Sequence, residues 1–219
     1  FELDKYFKTD DLKKCSRFWI ILFKTILSKL YHWKIYVVGS VEYQYPNHLF
    51  QAGYFLDKKY YDENTIDFKH LLLSEKNQSL LKDIQNSNSV GVHIRRGDYM
   101  TKQNLVIFGN ICTQKYYHDA IRIITEKVND AVFYVFSDDI SWVQTHLDIP
   151  NAVYVNWNTG ESSIYDMYLM SSCKYNIIAN STFSYWAARL NKKTNMVIYP
   201  SKWYNTFTPD IFPESWCGI

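Results

Sequence analysis

The apolar strand Val90-Gly-Val-His-Ile94 runs straight into Arg95-Arg-Gly-Asp98, which gathers a histidine, two arginines, a glycine and an aspartate in one short turn. Side chains alternate between the faces of a strand, so His93 and Arg95 share one side while Ile94 and Arg96 take the other, with Gly91 leaving room beside the histidine. A guanidinium offers a planar fork of donors that fits two phosphate oxygens, which a lysine cannot reproduce. The chemistry these residues suit is the binding of a doubly charged phosphate group, with Arg95 as the principal ligand and His93 next to it. The alternative for paired arginines is an ordinary ion-pair role, and Asp98 is close enough in sequence to hold either of them.

A second constellation follows the apolar run Ile177-Ile-Ala179. The polar trio Asn180-Ser-Thr182 precedes a helix beginning at Phe183, and free amides at a helix start, the positive end of its dipole and two hydroxyls together form an anion cradle. Ser181 or Thr182 also fits as a simple helix cap, using the same donors. Asp138 and Asp139 follow another strand but lack the Asp-x-Asp spacing of a metal site. Standing before Ile140-Ser-Trp142, they suit a helix cap, or a loop contact to a ligand.

The elements that must position these residues follow an alternating pattern. Strand Val90–Arg95 precedes a helix at Gln114–Val128 with Tyr117, Ile121, Ile124 and Val128 on one face. Strand Ala131–Phe136 precedes a helix from about Ile140, strand Ala152–Asn156 a helix at Ser163–Ser172, and strand Tyr175–Ala179 a helix at Phe183–Leu190, with strand Met196–Tyr199 last. Such alternation predicts an α/β fold with a doubly wound parallel sheet, Rossmann-like, whose ligands sit beyond the carboxyl ends of the strands. Arg95, Ser137 and Asn180 all fall there. Residues 1–88 read as a separate, partial α/β region of short helices and aromatic loops, and the polar run Gln85-Asn-Ser-Asn-Ser89 marks a boundary near 88 before a second region at 89–219.

The chain has 219 residues, 47% hydrophobic and 21% charged, with a net charge of +2. That is the profile of a folded protein, and its near neutrality excludes a surface that coats nucleic acid, so an anion site must be local. Cys15, Cys112, Cys173 and Cys217 lie far apart without metal-finger spacing and read as reduced thiols of a cytoplasmic protein. The sequons at Asn77 and Asn180 read as coincidence. The apolar run Phe18–Phe23, interrupted by Lys24 and Lys29, is too short to span a bilayer; Trp19, Leu22, Phe23, Ile26, Leu27 and Leu30 instead repeat as one helix face. A buried amphipathic helix is expected there, with peripheral membrane contact as the alternative.

His93-Ile-Arg-Arg-Gly-Asp-Tyr99 resembles the signature of the glycosyltransferase family 11 fucosyltransferases, the α-1,2-fucosyltransferases. The resemblance extends to Phe1-Glu-Leu3, Gly53-Tyr-Phe-Leu-Asp-Lys-Lys-Tyr60, Phe136-Ser-Asp-Asp139 and the run Cys173–Leu190. A Gly-rich loop that usually opens the family is expected upstream of Phe1, so the N-terminal region is expected to be incomplete. The resemblance implies a GT-B-like fold and an inverting transfer of L-fucose from GDP-fucose to the 2-hydroxyl of a galactose-containing glycan, without a metal ion. It implies donor contacts from His93, Arg95, Asp138, Asn180, Ser181 and Thr182. It also implies a carboxylate at Asp166 that reads guanine through N1–H and the N2 amino group, and a base pocket formed with Phe183. Asp166 equally fits a solvated helix residue, and His93 and Phe183 equally fit the core. Asp98 is the nominee for the base that accepts the acceptor's proton, its alternative being a salt bridge to Arg95 or Arg96. Acceptor contacts are implied at Tyr54, Phe55, Tyr60 and Tyr61, and a bacterial, cytoplasmic location, peripheral at most to the inner membrane face, is implied over a Golgi one. Two other readings are a domain that binds GDP-fucose without transferring it, and an adhesion protein displaying Arg96-Gly97-Asp98.

Overall fold

The strand Asn88–Ile94 is buried from Ser89 onward on both its faces, which calls for helices above and below it. In a computed structural model, which describes residues 3–8, 18, 21, 26, 36–39, 50–53 and 66–219, both covers are present. Two short strands, β1 (Tyr36–Gly39) and β2 (Phe50–Gly53), pair in parallel as a two-stranded sheet. The main sheet contains β3 (Asn88–Ile94), β4 (Ala131–Ser137), β5 (Ala152–Val155), β6 (Tyr175–Ile177), β7 (Met196–Tyr199) and β8 (Cys217–Gly218). Its order is β5-β4-β3-β6-β7-β8 and all its pairings are parallel. The chain moves outward from β3 to one edge, returns, and continues from β6 to the other. This is the doubly wound order of a Rossmann fold, with its topological switch point between β3 and β6.

Alternation along β3 divides the core. Val90, Val92 and Ile94 bury with Tyr117, Ala120, Ile121 and Ile124 of helix Gln114–Lys127 and Val143 of helix Ile140–His146. On the opposite face Tyr134 and Phe136 of β4 bury with Leu169 and Met170 of helix Ser163–Ser171, Ala187 and Ala188 of helix Thr182–Arg189, and Leu80 and Ile84. The last two belong to helix Glu75–Asn86, capped by Ser74. Residues Ile66–Thr208 fall in one compact unit with Phe1–Phe7 and Phe212–Ile219, and the polar run at 85–89, where the sequence suggests a boundary, turns directly into β3. Lys8–Thr65 with Pro209–Ile211 form the other unit.

Two residues fix the ends of the central strands. Adjacent tyrosines of helix Gln114–Lys127 reach under the sheet: Tyr117 donates to the His93 carbonyl at 3.2 Å and Tyr116 to the Ile178 carbonyl at 2.6 Å. Gly91 faces the other way, where a Cβ would lie 2.9 Å from Asn176 Nδ2 and 3.0 Å from Met170 Cγ. Both neighbours are buried, so Gly91→Ala overpacks this layer. A loss of about 1–3 kcal/mol is expected, visible as a lower urea midpoint at unchanged slope.

The elements depart from the sequence reading in detail. β3 starts two residues early and ends at Ile94, so Arg95 stands just beyond the ladder. A helix at Lys102–Phe108, capped by Thr101, and the edge strand β8 were not anticipated. Of the apolar stripe expected at 18–30, only Ile26 is described, and it is 41% exposed; the other stripe positions, together with Cys15, Tyr54, Phe55, Tyr60 and Tyr61, lie outside the described residues. Cys112, Cys173 and Cys217 are free thiols. Among the described residues no helix is long and apolar enough to cross a membrane.

Candidate functional site

At the switch point the carboxyl ends of β3, β4 and β5 open into a cleft of about 790 Å³ that is also lined by the start of helix Thr182–Arg189. Such a volume accommodates a nucleotide-sized ligand. Its lining includes His93, Arg95, Asp98, Asp138, Asp166, Ser181, Thr182 and Phe183, so eight of the nine residues singled out by the sequence converge.

Arg95 and Arg96 part company as alternation requires. Arg96 turns to the far face, where its guanidinium lies 3.6 Å from the Trp142 ring centre and its Nε donates to Asp139 at 3.3 Å. Arg95 turns into the cleft. Its Nη1 donates to Asp138 Oδ2 and its Nη2 to Asp98 Oδ1, both at 2.6 Å. Asp138 spends its other oxygen on the Arg96 backbone N–H at 2.9 Å, so one carboxylate ties down the whole arginine turn. A Cβ on Gly97 would come within 2.4 Å of Asp138 Oδ2, and that close approach is why glycine follows the two arginines.

The two aspartates after β4 therefore differ. Asp139 caps helix Ile140–His146 by accepting from the Trp142 N–H at 3.1 Å, and that bond is the main cause holding its carboxyl below the usual range. Asp138 faces the cleft through Arg95. Asp98, for which both a base and an ion-pair role were open, is ion-paired to Arg95. The tripeptide Arg96-Gly97-Asp98 thus has both of its charges engaged within the molecule.

His93 is 6% exposed and its buried Nδ1 has no hydrogen-bond partner among the described residues. Burial, reinforced by the positive charge of Arg95, pushes its pKa down to about 3, so the ring is neutral. It packs on Phe183, with ring centres 5.0 Å apart. Both rings therefore form an apolar wall of the cleft beside the guanidinium.

Ser181 occupies the cap position of helix Thr182–Arg189 in extended conformation, yet its side chain makes no capping bond. The turn is held instead by Ser184, whose hydroxyl meets the Ala179 N–H at 3.2 Å and donates to the Ser181 carbonyl at 3.3 Å. The Ser181 side chain consequently does not consume the first-turn amides, and a helix start on the cleft wall is a place where an anion is stabilised. Asn180 does not share this role. Its amide donates to the carbonyls of Phe108 (3.3 Å) and Trp203 (3.0 Å), and its Oδ1 accepts from Cys112 Sγ at 3.3 Å. It is a buried bracket beneath the loops, its side chain engaged there and outside the lining of the cleft, whereas the sequence expects it among the ligand contacts.

Asp166 is 9% exposed, on the first turn of helix Ser163–Ser171. Its burial excludes the solvated alternative. Desolvation pushes its pKa up to about 7, opposed by the Asn158 amide, which donates to Oδ1 at 2.6 Å. Asn158 and the neighbouring Thr159 and Gly160 line the same cleft and were missed. Their signal was a polar run at the carboxyl end of a strand, with Gly160 at φ +59° as its turn.

The sequence model of glycosyl transferase family 11 matches residues 11–219. An alpha-1,2-colitosyltransferase of Escherichia coli is 35% identical over 196 residues, which cover 83% of this chain and 63% of that protein. The O-antigen biosynthesis glycosyltransferase WbnK of Escherichia coli is 44% identical over 122 residues, covering 55% of this chain and 40% of that protein. Galactoside alpha-(1,2)-fucosyltransferase 2 of Pongo pygmaeus is 28% identical over 163 residues, covering 68% and 48%. The chain thus spans less than two thirds of the length of each of these relatives.

Proposed function

As this chain belongs to glycosyl transferase family 11, we propose that it transfers L-fucose from GDP-fucose to the 2-hydroxyl of a β-galactoside with inversion, giving an α-1,2 linkage. The observation that carries this reading is the convergence of the Arg95 guanidinium and the opening amides of helix Thr182–Arg189 on one cleft at the switch point. The diphosphate would exchange places with the two carboxylates on Arg95, and Ser181 and Thr182 would offer amides and hydroxyls to its oxygens. Asp166 would accept from the two adjacent donors of guanine, against the wall formed by His93 and Phe183.

Chemistry then follows from charge. The bond from the anomeric carbon to the leaving oxygen breaks as the acceptor hydroxyl attacks from the opposite face and gives up its proton to Asp98, which the diphosphate has displaced from Arg95, and negative charge grows on the departing GDP. Preorganised donors aimed at that charge lower the barrier. In the free protein Asp98 and Asp138 hold the guanidinium in the cleft until the diphosphate takes their place. Because Arg95 and the helix start supply the positive charge, turnover is expected to be unchanged by a chelator.

A second reading concerns the sugar alone. The similarity to an alpha-1,2-colitosyltransferase over 83% of the chain favours colitose, which lacks the 3-hydroxyl of fucose, as the transferred residue. Incubating the protein with GDP-fucose and a β-galactoside, with and without chelator, and reading the product linkage by NMR tests the first reading. An α-1,2-fucosylated product in both samples supports it. Transfer only from a colitosyl donor would move the assignment to the second reading, and a metal requirement would remove the charge argument.

A further inference from the structure

Behind Asp166 lies a group of side chains to which the transfer chemistry assigns nothing. Asn77, from helix Glu75–Asn86, is 1% exposed. Its Oδ1 accepts from Trp157 Nε1 at 2.7 Å and from Asn158 Nδ2 at 3.1 Å, while its Nδ2 donates to Asn158 Oδ1 at 3.0 Å. Asn158 Nδ2 then uses its second hydrogen on Asp166 Oδ1. The ammonium group of Lys76 lies 3.7 Å from the centre of the Trp157 ring and holds the indole in place.

The polarity of this chain has a single origin. An indole N–H can only donate, so Trp157 compels Asn77 to present its oxygen. The amide of Asn77 must then face the oxygen of Asn158, which leaves the NH₂ of Asn158 toward Asp166. A reversed Asn158 would put its carbonyl against the carboxylate, and only a protonated Asp166 would tolerate that contact. The distinction matters for a base. A carboxylate accepts twice, matching the adjacent N1–H and N2 amino donors of guanine, whereas a protonated carboxyl donates and accepts, matching N1 and the N6 amino group of adenine.

We propose that Trp157, Asn77 and Asn158 form a polarity relay that favours the accepting, ionised form of Asp166 and so selects guanine over adenine in the nucleotide donor. The relay rests on the reading of Asp166 given above. Among the charged and titratable groups lining the cleft, His93 and Arg95 come from the end of β3, Asp98 from the turn after it and Asp138 from the end of β4. Glu161 stands just ahead of the helix of Asp166, Lys76 lies over Trp157, and the packed helix Thr182–Arg189 has Arg189 at the end away from the cleft. Burial raises the pKa of Asp166 and the hydrogen bond from Asn158 opposes that rise.

The test is calorimetric titration of the whole protein with GDP and with ADP between pH 6 and pH 8.5. Trp157→Phe keeps a ring over Lys76 and removes only the donor; Asn77→Ala removes the middle of the relay. Each is expected to cut the preference for GDP over ADP by roughly tenfold, the worth of one hydrogen bond to a charged group, and to move the midpoint of the pH dependence of GDP binding upward from about 7. Equal weakening toward GDP and ADP with an unmoved midpoint would mean a structural role only and overturns the relay. If Asn77→Ala does not fold, Trp157→Phe decides alone. Asp166→Asn separates the two levels. If it abolishes the pH dependence while Trp157→Phe behaves as the unaltered protein, the relay fails and the donor reading stands. If it leaves GDP binding untouched, the donor reading of Asp166 fails and takes the relay with it.

Discussion

Replacing Arg95 by alanine is expected to lower turnover about a hundredfold or more while leaving the fold intact. Removing one preorganised donor from a developing oxyanion costs on the order of 3 kcal/mol in comparable sites. Arg95 stands beyond the end of β3 with its partners, Asp98 and Asp138, on the same cleft, so its loss leaves no unpaired charge in the core. Arg95→Lys keeps a charge without the fork and should fall between. Arg96→Ala supplies the contrast: it removes a cation–π contact to Trp142 and an ion pair to Asp139, which costs about 1 kcal/mol of stability and spares turnover. Steady-state kinetics of the three variants check this. Near-normal turnover in Arg95→Ala, or a collapse in Arg96→Ala, would remove the guanidinium from the leaving-group site.

Asp166→Asn is expected to weaken GDP binding by roughly 10- to 100-fold at pH 8, the value of one or two hydrogen bonds to a charged acceptor. The pH dependence carries the sign. Burial raises the carboxyl pKa to about 7 in the free protein, and under the proposed function guanine would require the ionised form, so affinity of the unaltered protein should fall as pH drops below 7, approaching tenfold per unit. The asparagine variant should be flat across that range. Stability moves in the opposite direction. A carboxyl whose folded pKa lies above its unfolded value favours the native state fully below the unfolded pKa, and that contribution is lost as pH rises through 7. At pH 8 the variant should therefore unfold at a higher temperature than the parent while binding GDP less well. Thermal scans with and without GDP at pH 6 and 8 read both effects. A variant that binds GDP normally, or a parent whose affinity is flat with pH, would dissociate Asp166 from base recognition.

Much of this architecture was legible in the residues because period-2 and period-3.6 patterns are local. The alternation of Val90, Val92 and Ile94 predicts the split between Arg95 and Arg96, and the strand–helix alternation predicts the parallel sheet and the end of it at which such sheets place their ligands. Direction was harder to read where partners lie far away in the chain. Asn180 stands in a polar trio and yet turns its amide to Phe108 and Trp203, a choice made by carbonyls that local sequence does not reveal. Asn77 looked like a stray sequon and is the centre of a hydrogen-bond chain whose members are about 80 residues away. Ser184 replaces Ser181 in holding the helix start because its hydroxyl, one turn in, reaches back to the strand end. The helix at Lys102–Phe108 is short, and its exposed Val106 breaks the amphipathic signal by which longer helices announce themselves.

The two phenols beneath the sheet have a consequence for how substrate range could diversify in proteins of this design. Tyr116 and Tyr117 lash the tails of β6 and β3 to one helix, which braces the floor of the cleft where the proposed nucleotide would lie. Accommodation of a new sugar would then come from the rims at 95–101 and 156–163. Those rims could be exchanged between relatives like interchangeable jaws on a fixed vice.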